Sequence, residues 1–346
     1  MNNRIALAGC GNVGTALLEI LQEKRSELAG KYGFKFEVVL ICDLMKGTIM
    51  DPQGLDLDKV LDAIHNKRGF MNFPPVRGTF EDLLDASRAT VMAEATPTNL
   101  KTGEPGMTHI KAALSRGINV TTTNKGPISL ALDELEKLAA DCGARLRFEG
   151  TVMSGTPFIS MIRTGMVGCQ VKKIEGILNG TTNFMLTKMG GGLSYAQALE
   201  EAQARGYAEA DPTGDVEGWD AAVKVSIMAK IFFGRELPVA AVDRTGITEL
   251  TPEKVRDAAA AGCKVKLLAG LEEGPHGFSA YVAPRNVPFS NPLSSIDGAT
   301  NAVTITTDNL GPVTIIGPGA GRRETGQALL EDIYAFCREK KSSQME

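Results

Sequence analysis

The apolar run Arg4-Ile5-Ala6-Leu7-Ala8 leads straight into Gly9-Cys10-Gly11-Asn12-Val13-Gly14, after which Ala16, Leu17, Ile20, Leu21 and Leu28 recur at helical spacing. This pattern predicts a strand, a glycine-rich turn and a helix. Phe36 to Ile41 is a second β-rich run that ends at Asp43, and the polar stretch Lys24 to Gly33 before it reads as an insert. The alternation continues with helices near Lys59 to Asn66 and Glu81 to Ala86, a strand at Thr90 to Ala95, a helix from Gly106 to Ser115, a strand at Asn119 to Thr123 and a helix from Asp133 to Asp141. Strands separated by helices predict a parallel sheet covered on both faces.

Past about residue 145 the pattern changes. The run Arg145 to Phe148 gives way to Gly- and Thr-rich turns, a strand at Lys173 to Leu178 and a long helix from Asp215 to Phe233. Phe278 to Val282 and Ala302 to Thr307 read as antiparallel strands, Gln327 to Arg338 as a last helix, and Lys340 to Glu346 as a polar tail expected to fray. The expected fold is α/β: a Rossmann-type doubly wound parallel sheet with a second, α+β domain. A length of 346 residues accommodates both.

Composition narrows the function. Hydrophobic residues make up 43% and charged residues 23%, and the net charge of −4 offers no basic excess for a phosphate backbone, so nucleic acid is not an expected partner. The six cysteines form no CxxC pair, which argues against a zinc ribbon or a disulfide framework and for a reducing cytoplasm. No apolar stretch approaches the roughly 20 residues that span a bilayer, and the N-terminus lacks the apolar region of a secretion signal. His65, His109 and His276 stand apart from one another with no HExxH, so zinc chemistry is not expected and each histidine reads as structural.

The glycine run carries the first chemical signal. Gly9 suits a tight turn off the strand, Gly11 lets backbone amides approach a pyrophosphate, and Gly14 lets the helix pack closely, with Asn12 and Val13 at a helix N-terminus facing the phosphates. A turn with incidental glycines is the competing reading. Asp43, at the end of the second strand, is placed to accept hydrogen bonds from the adenosine ribose and to repel a 2′-phosphate, which favours NAD over NADP; a plain turn aspartate is the alternative, and Lys46 softens the preference. None of the five tyrosines opens a YxxxK motif, and no histidine has the company that a histidine-based hydride-transfer enzyme needs, so the acid or base is expected to be a lysine.

The helix bearing Trp219 to Ala229 is apolar nearly all round, which predicts burial, and Asp220 and Lys224 lie on one of its faces at i and i+4. Such a pair is ordinarily a surface ion pair. On an apolar helix it instead suggests a desolvated lysine with a lowered pKa that exchanges a proton with an alcohol oxygen, positioned by the carboxylate. Upstream, Glu209, Asp211 and Asp215 gather in a turn-rich loop, as they would around a substrate ammonium; Asp215 also fits a helix N-cap.

These residues carry a resemblance. Asn179-Gly180-Thr181-Thr182-Asn183, Glu201-Ala202-Gln203 and the run Gly206 to Lys224 resemble the homoserine dehydrogenase family, as do the N-terminal GCGNVG, Ala95 to Asn99, Thr121 to Pro127, Gly246-Ile247-Thr248 and Gly317 to Gly321. The resemblance implies NAD(P)-dependent interconversion of aspartate 4-semialdehyde and homoserine. It implies that Lys224 is the acid and base at the C4 oxygen, that Asp220 orients it, and that Glu209 and Asp215 hold the substrate's amino group with Thr181 nearby. By the same likeness Lys125 is a second active-site lysine between nicotinamide and substrate, Thr96 and Pro97 pass beside the nicotinamide, and Gly317 belongs to the stretch that returns the chain to the nucleotide domain. The implied domains are 1–135 plus 320–346 for the dinucleotide and 136–319 for catalysis and homodimer formation. Glu149, Val152, Ser154 and Thr156 match a segment that holds a structural sodium ion mainly through backbone oxygens, although Gly150, Met153, Ser154 and Thr156 depart from the common pattern; Glu324 and Gly326 depart from it too. The chain ends soon after the last helix, so no regulatory domain and no threonine feedback through one are expected. A related dehydrogenase for another small amino alcohol or aldehyde, and a dinucleotide sensor without chemistry, are the alternatives.

Overall fold

The computed structural model describes residues 3–275 and 277–342; His276 and the last four residues of the polar tail lie outside the described residues. The chain divides into two compact units, residues 1–155 with 321–346 and residues 156–320.

The first unit is built on a six-stranded sheet of β1 (Asn3–Ala8), β2 (Phe36–Asp43), β3 (Gly47–Met50), β4 (Val91–Glu94), β5 (Asn119–Thr122) and β6 (Leu146–Arg147), in the order β3-β2-β1-β4-β5-β6. All pairs are parallel except the short edge hairpin of β2 and β3. Strand order reverses between β1 and β4, and in open α/β sheets ligands bind in the crevice at such a switch point, beyond the carboxyl ends of the strands. Ile5, Leu7, Val38, Ile41, Val91 and Ala93 fill the core from the sheet, and Leu17, Leu18, Leu21 and Phe34 close over them.

Three local expectations change here. The helix Asn12–Tyr32 runs through the polar stretch that reads as an insert, because Glu23, Lys24, Ser26 and Glu27 lie on its exposed face; it stops at Gly33, which takes a left-handed φ of 59°. The helix Lys125–Asp141 starts eight residues earlier than the pattern suggests, since the Asn124 side chain accepts from the Gly126 amide and caps it. The domain boundary consequently moves from 135/136 to 155/156: that helix crosses the expected point, and β6 beyond it pairs with β5. The chain returns at Gly321, and the helix Arg322–Ser342 places Leu329, Leu330, Ile333 and Phe336 in this core. A Cβ on Gly326 would come within 2.9 Å of the Leu17 amide, so this departure from the family pattern allows a close helix crossing.

The second unit holds β7 (Val171–Ile177), β8 (Asp243–Arg244), β9 (Cys263–Gly274), β10 (Gly277–Pro288), β11 (Thr300–Thr307) and β12 (Gly311–Pro318), in the order β12-β11-β7-β9-β10-β8. Every pair is antiparallel except the short β8–β10 ladder. The helices Gly180–Gly190 and Trp219–Phe233 pack on this sheet. The single long helix expected from Asp215 to Phe233 is two, Thr213–Val216 and Trp219–Phe233, broken at Gly218 with φ 80°.

Candidate functional site

The first unit presents a turn shaped for a dinucleotide. Gly9 follows β1 with φ 89°, and a Cβ there would lie 2.6 Å from the Ala95 carbonyl carbon; a Cβ on Gly14 would run into the Gly9 carbonyl. Gly11 has no protein atom within reach of an added Cβ, so the space before it is open. The helix that starts at Asn12 has no side-chain cap, which leaves the first-turn amides of Asn12, Val13 and Gly14 available to an anion. These features fit a pyrophosphate.

Asp43 has a task that its position in the sequence did not reveal. Its Oδ2 accepts from the Cys10 amide at 2.7 Å, inside the glycine turn, while Oδ1 accepts from Met45 and Lys46 at 3.0 and 2.8 Å. Partial burial works to raise its pKa, but the amides of Lys46, Cys10 and Met45 outweigh this and hold the carboxyl below its ordinary range. It is therefore an anion that shapes the turn, with lone pairs remaining for a ribose hydroxyl. Burial pushes the neighbouring Cys10 thiol up to about 11, so this cysteine is inert. Thr96 and Pro97 follow β4, and Lys125 opens the helix after β5.

In the second unit the pair at i and i+4 is bonded, with Lys224 buried and Asp220 half-buried. Lys224 Nζ donates to Asp220 Oδ2 at 2.7 Å and to the Leu178 carbonyl at 2.6 Å, with side-chain exposures of 7% for the lysine and 23% for the aspartate. Asn179, at the end of the β7 segment, joins the cluster: its Nδ2 donates to Asp215 Oδ1 at 2.7 Å and to Asp220 Oδ2 at 3.2 Å, while its Oδ1 accepts from the Thr182 amide at 2.9 Å as the cap of the next helix. Thr181 Oγ1 donates to the Tyr207 carbonyl at 2.7 Å and lies by Asp215. Burial raises the Asp215 pKa, the bond from Asn179 opposes this, and the nearby Asp220 charge adds to it. Asp215 caps no helix: the short helix it belongs to is preceded by Pro212 and the next by Gly218, neither end having a side-chain cap.

Other expected residues are not drawn into this cluster. Glu209 is exposed, and among the described residues it is held only through its main-chain carbonyl, by Gln203 Nε2 at 3.1 Å. Gly317 lies in β12 opposite Asn301, and a Cβ there would strike the Thr156 hydroxyl. Of the sodium candidates, Glu149 and Val152 are buried, Ser154 has φ 51° with its hydroxyl 2.8 Å from that of Thr325, and the Thr156 hydroxyl donates to the Pro318 carbonyl at 3.0 Å. The Ser154 and Thr156 hydroxyls are thus engaged within the protein. No group of three or more His, Cys, Asp or Glu among the described residues is arranged to hold a metal ion.

Residues 9–149 match the family described as homoserine dehydrogenase, NAD binding domain, and residues 157–334 match homoserine dehydrogenase. The chain belongs to the homoserine dehydrogenase family. An NAD(+)-dependent homoserine dehydrogenase of Pseudomonas canavaninivorans is 42% identical over 335 residues, covering 95% of each chain, and a homoserine dehydrogenase of Methanocaldococcus jannaschii is 36% identical over 95% of this chain and 97% of its own. Among solved structures, a putative homoserine dehydrogenase of Archaeoglobus fulgidus superposes with a TM-score of 0.86 at 34% identity, covering 96% and 99% of the two chains. A hyperthermophilic archaeal homoserine dehydrogenase in complex with NADPH gives 0.81 at 32%, covering 96% and 97%.

In homoserine dehydrogenase terms, Asn179 is the site residue that pattern reading passed over. It stands in the quoted Asn179 to Asn183 run, and its N-cap character before a helix was legible, but its bonds to residues 36 and 41 positions away were not.

Proposed function

We propose that the protein interconverts L-homoserine and L-aspartate 4-semialdehyde with a nicotinamide dinucleotide, NAD in preference to NADP. The observation that carries this is the hydrogen-bonded chain Lys224–Asp220–Asn179–Asp215, a buried lysine beside two half-buried carboxylates that suit a small amino alcohol. NAD(P), when bound on the glycine turn, supplies the hydride acceptor or donor. In the oxidative direction Lys224 Nζ takes the hydroxyl proton as the hydride leaves C4; in the reductive direction it returns that proton to the aldehyde oxygen. Two of its bonding directions are fixed by Asp220 and Leu178, which aims the remaining one at the substrate oxygen. Asp215 and Glu209 hold the substrate ammonium with Thr181 beside them, and Lys125, Thr96 and Pro97 serve the nicotinamide end, with Gly317 in the segment leading back to the nucleotide unit. Asp43 disfavours a 2′-phosphate by charge. Sodium enters none of these steps.

The working form we propose is a cytoplasmic homodimer. No helix among the described residues is long and apolar enough to cross a membrane, and all six cysteines are free. Light scattering on the purified protein tests the assembly. The reaction is tested by following NADH and NADPH absorbance with L-homoserine, in wild type and in Lys224→Ala. Turnover that falls by about 10²- to 10⁴-fold in the variant supports the assignment; turnover of the variant at the wild-type rate removes Lys224 from the chemistry.

A further inference from the structure

Glu94, the last residue of β4, is fully buried, and its hydrogen-bonding partners are all neutral. Its Oε1 accepts from the Thr96 amide at 2.9 Å and from the Thr96 hydroxyl; its Oε2 accepts from the Thr122 hydroxyl at 2.7 Å, and the Asn124 side chain completes the set. Burial pushes the carboxyl above its usual range against these bonds. A Cβ on Gly106 would stand 3.2 Å from the Glu94 carboxylate and 2.7 Å from Asn124 Nδ2, so the glycine lets the uncapped start of the helix Gly106–Leu114 cover the group without displacing either side chain. A buried carboxylate without a cation is a costly choice for holding strands together, which two apolar side chains would do better.

The segments it joins give that choice a purpose. The Thr96 amide belongs to the peptide on which Gly9 is stacked, with the Gly9 Cβ position 2.6 Å from the Ala95 carbonyl carbon and 2.7 Å from Thr96 N. The Thr122 hydroxyl also accepts from the Asn124 amide at 2.9 Å; Asn124 Nδ2 reaches the Thr96 and Pro97 carbonyls at 3.4 and 3.5 Å, and Asn124 Oδ1 caps the helix that Lys125 opens. One carboxylate thus closes a ring of hydrogen bonds through the segments bearing Thr96–Pro97 and Lys125, and Gly9 packs against the first of them without a bond to the ring. We propose that Glu94 is a positioning residue for hydride transfer: it fixes Thr96, Pro97 and Lys125 at the nicotinamide end, while the grip on the ADP-ribose part rests on Gly11 to Gly14 and Asp43. This rests on the function proposed above for those residues.

The test is Glu94→Gln, which keeps the volume and removes one acceptor. A misplacement on the order of 1 Å at the reacting groups costs up to about 10²-fold, so kcat for homoserine oxidation is expected to fall by about 10- to 100-fold. The isotope effect with homoserine deuterated at C4 should rise, and the Kd for ADP-ribose, which lacks the nicotinamide, should stay within about twofold of wild type because its contacts are not touched. Thr122→Val should shift kcat and the isotope effect the same way to a smaller extent, with Thr122→Ser restoring both; this pair carries the test if Glu94→Gln does not fold. Unchanged kcat and isotope effect in Glu94→Gln and Thr122→Val overturn the proposal, as does an ADP-ribose affinity that falls in step with kcat. Wild-type protein that binds ADP-ribose but does not oxidise homoserine overturns the function itself, and this inference with it.

Discussion

Asp43 accepts three backbone amides, one of them from Cys10 within the glycine turn, so it shapes the turn, and the proposed function gives it the ribose to face as well. Asp43→Ala should therefore weaken NAD binding by about 10- to 100-fold, since a charge-assisted hydrogen bond contributes about 1.5 to 3 kcal/mol. It should also shrink the preference of NAD over NADP, and titration with both cofactors measures the two effects separately; an unchanged preference would remove Asp43 from cofactor selection. Asp332 is the opposite case. Fully buried on the last helix, it accepts from the Thr121 hydroxyl at 2.8 Å and the Glu149 amide at 3.2 Å, and burial pushes its carboxyl up to about 7 from an ordinary 3.8. Below the ordinary value both folded and unfolded chains hold the proton; between there and about 7 only the folded one does, so this group's contribution to stability declines as pH rises through that window and is level above it. Relative to wild type, Asp332→Asn should gain up to about 4 kcal/mol between pH 4 and 7, read as a widening gap in denaturant midpoints. A gap that stays constant with pH would contradict the assignment.

At the scale of elements, Gly218 is the joint between the two helices that carry Asp215, Asp220 and Lys224 of the cluster. It separates the helix carrying Asp215 from the helix carrying Lys224, holds φ 80°, and a Cβ there would sit 3.0 Å from Val282 Cγ1. Gly218→Ala should cost about 1 to 2 kcal/mol from the left-handed backbone alone, lowering Tm by a few degrees. Because Asn179 links the Asp215 carboxylate to that of Asp220, the same change should raise KM for homoserine; loss of Tm without a KM effect would show that the joint only supports the fold. The helices themselves were legible as amphipathic or apolar runs, but not where they began. Lys125–Asp141 starts at its Asn124 cap, ahead of its clearest periodicity, and is bent at Ala131 (φ −148°), which breaks the spacing that a period search follows.

At the scale of the molecule, residues from the two ends of the chain share one core. Leu329, Leu330, Ile333 and Phe336 pack with Leu17, Leu21 and Phe34, so the nucleotide unit is complete only when the last helix has been made. Phe336→Ala should destabilise this unit by about 3 to 5 kcal/mol, and the loss should appear in NADH binding by the folded fraction at moderate urea. An unchanged urea midpoint would mean that the unit does not need this helix. The sequence by itself determined the alternation of strands and helices, the glycine turn, the Asp220–Lys224 spacing and the family, because each is encoded over a few neighbouring residues or in short motifs kept in order. Only the tertiary structure decided that β6 joins the first sheet, that Asn179 bridges Asp215 and Asp220, that Asp43 binds the turn it follows, and that Glu94 ties the segment after β4 to the end of β5. These depend on which distant segments meet once apolar faces are buried, and local spacing carries no record of that pairing.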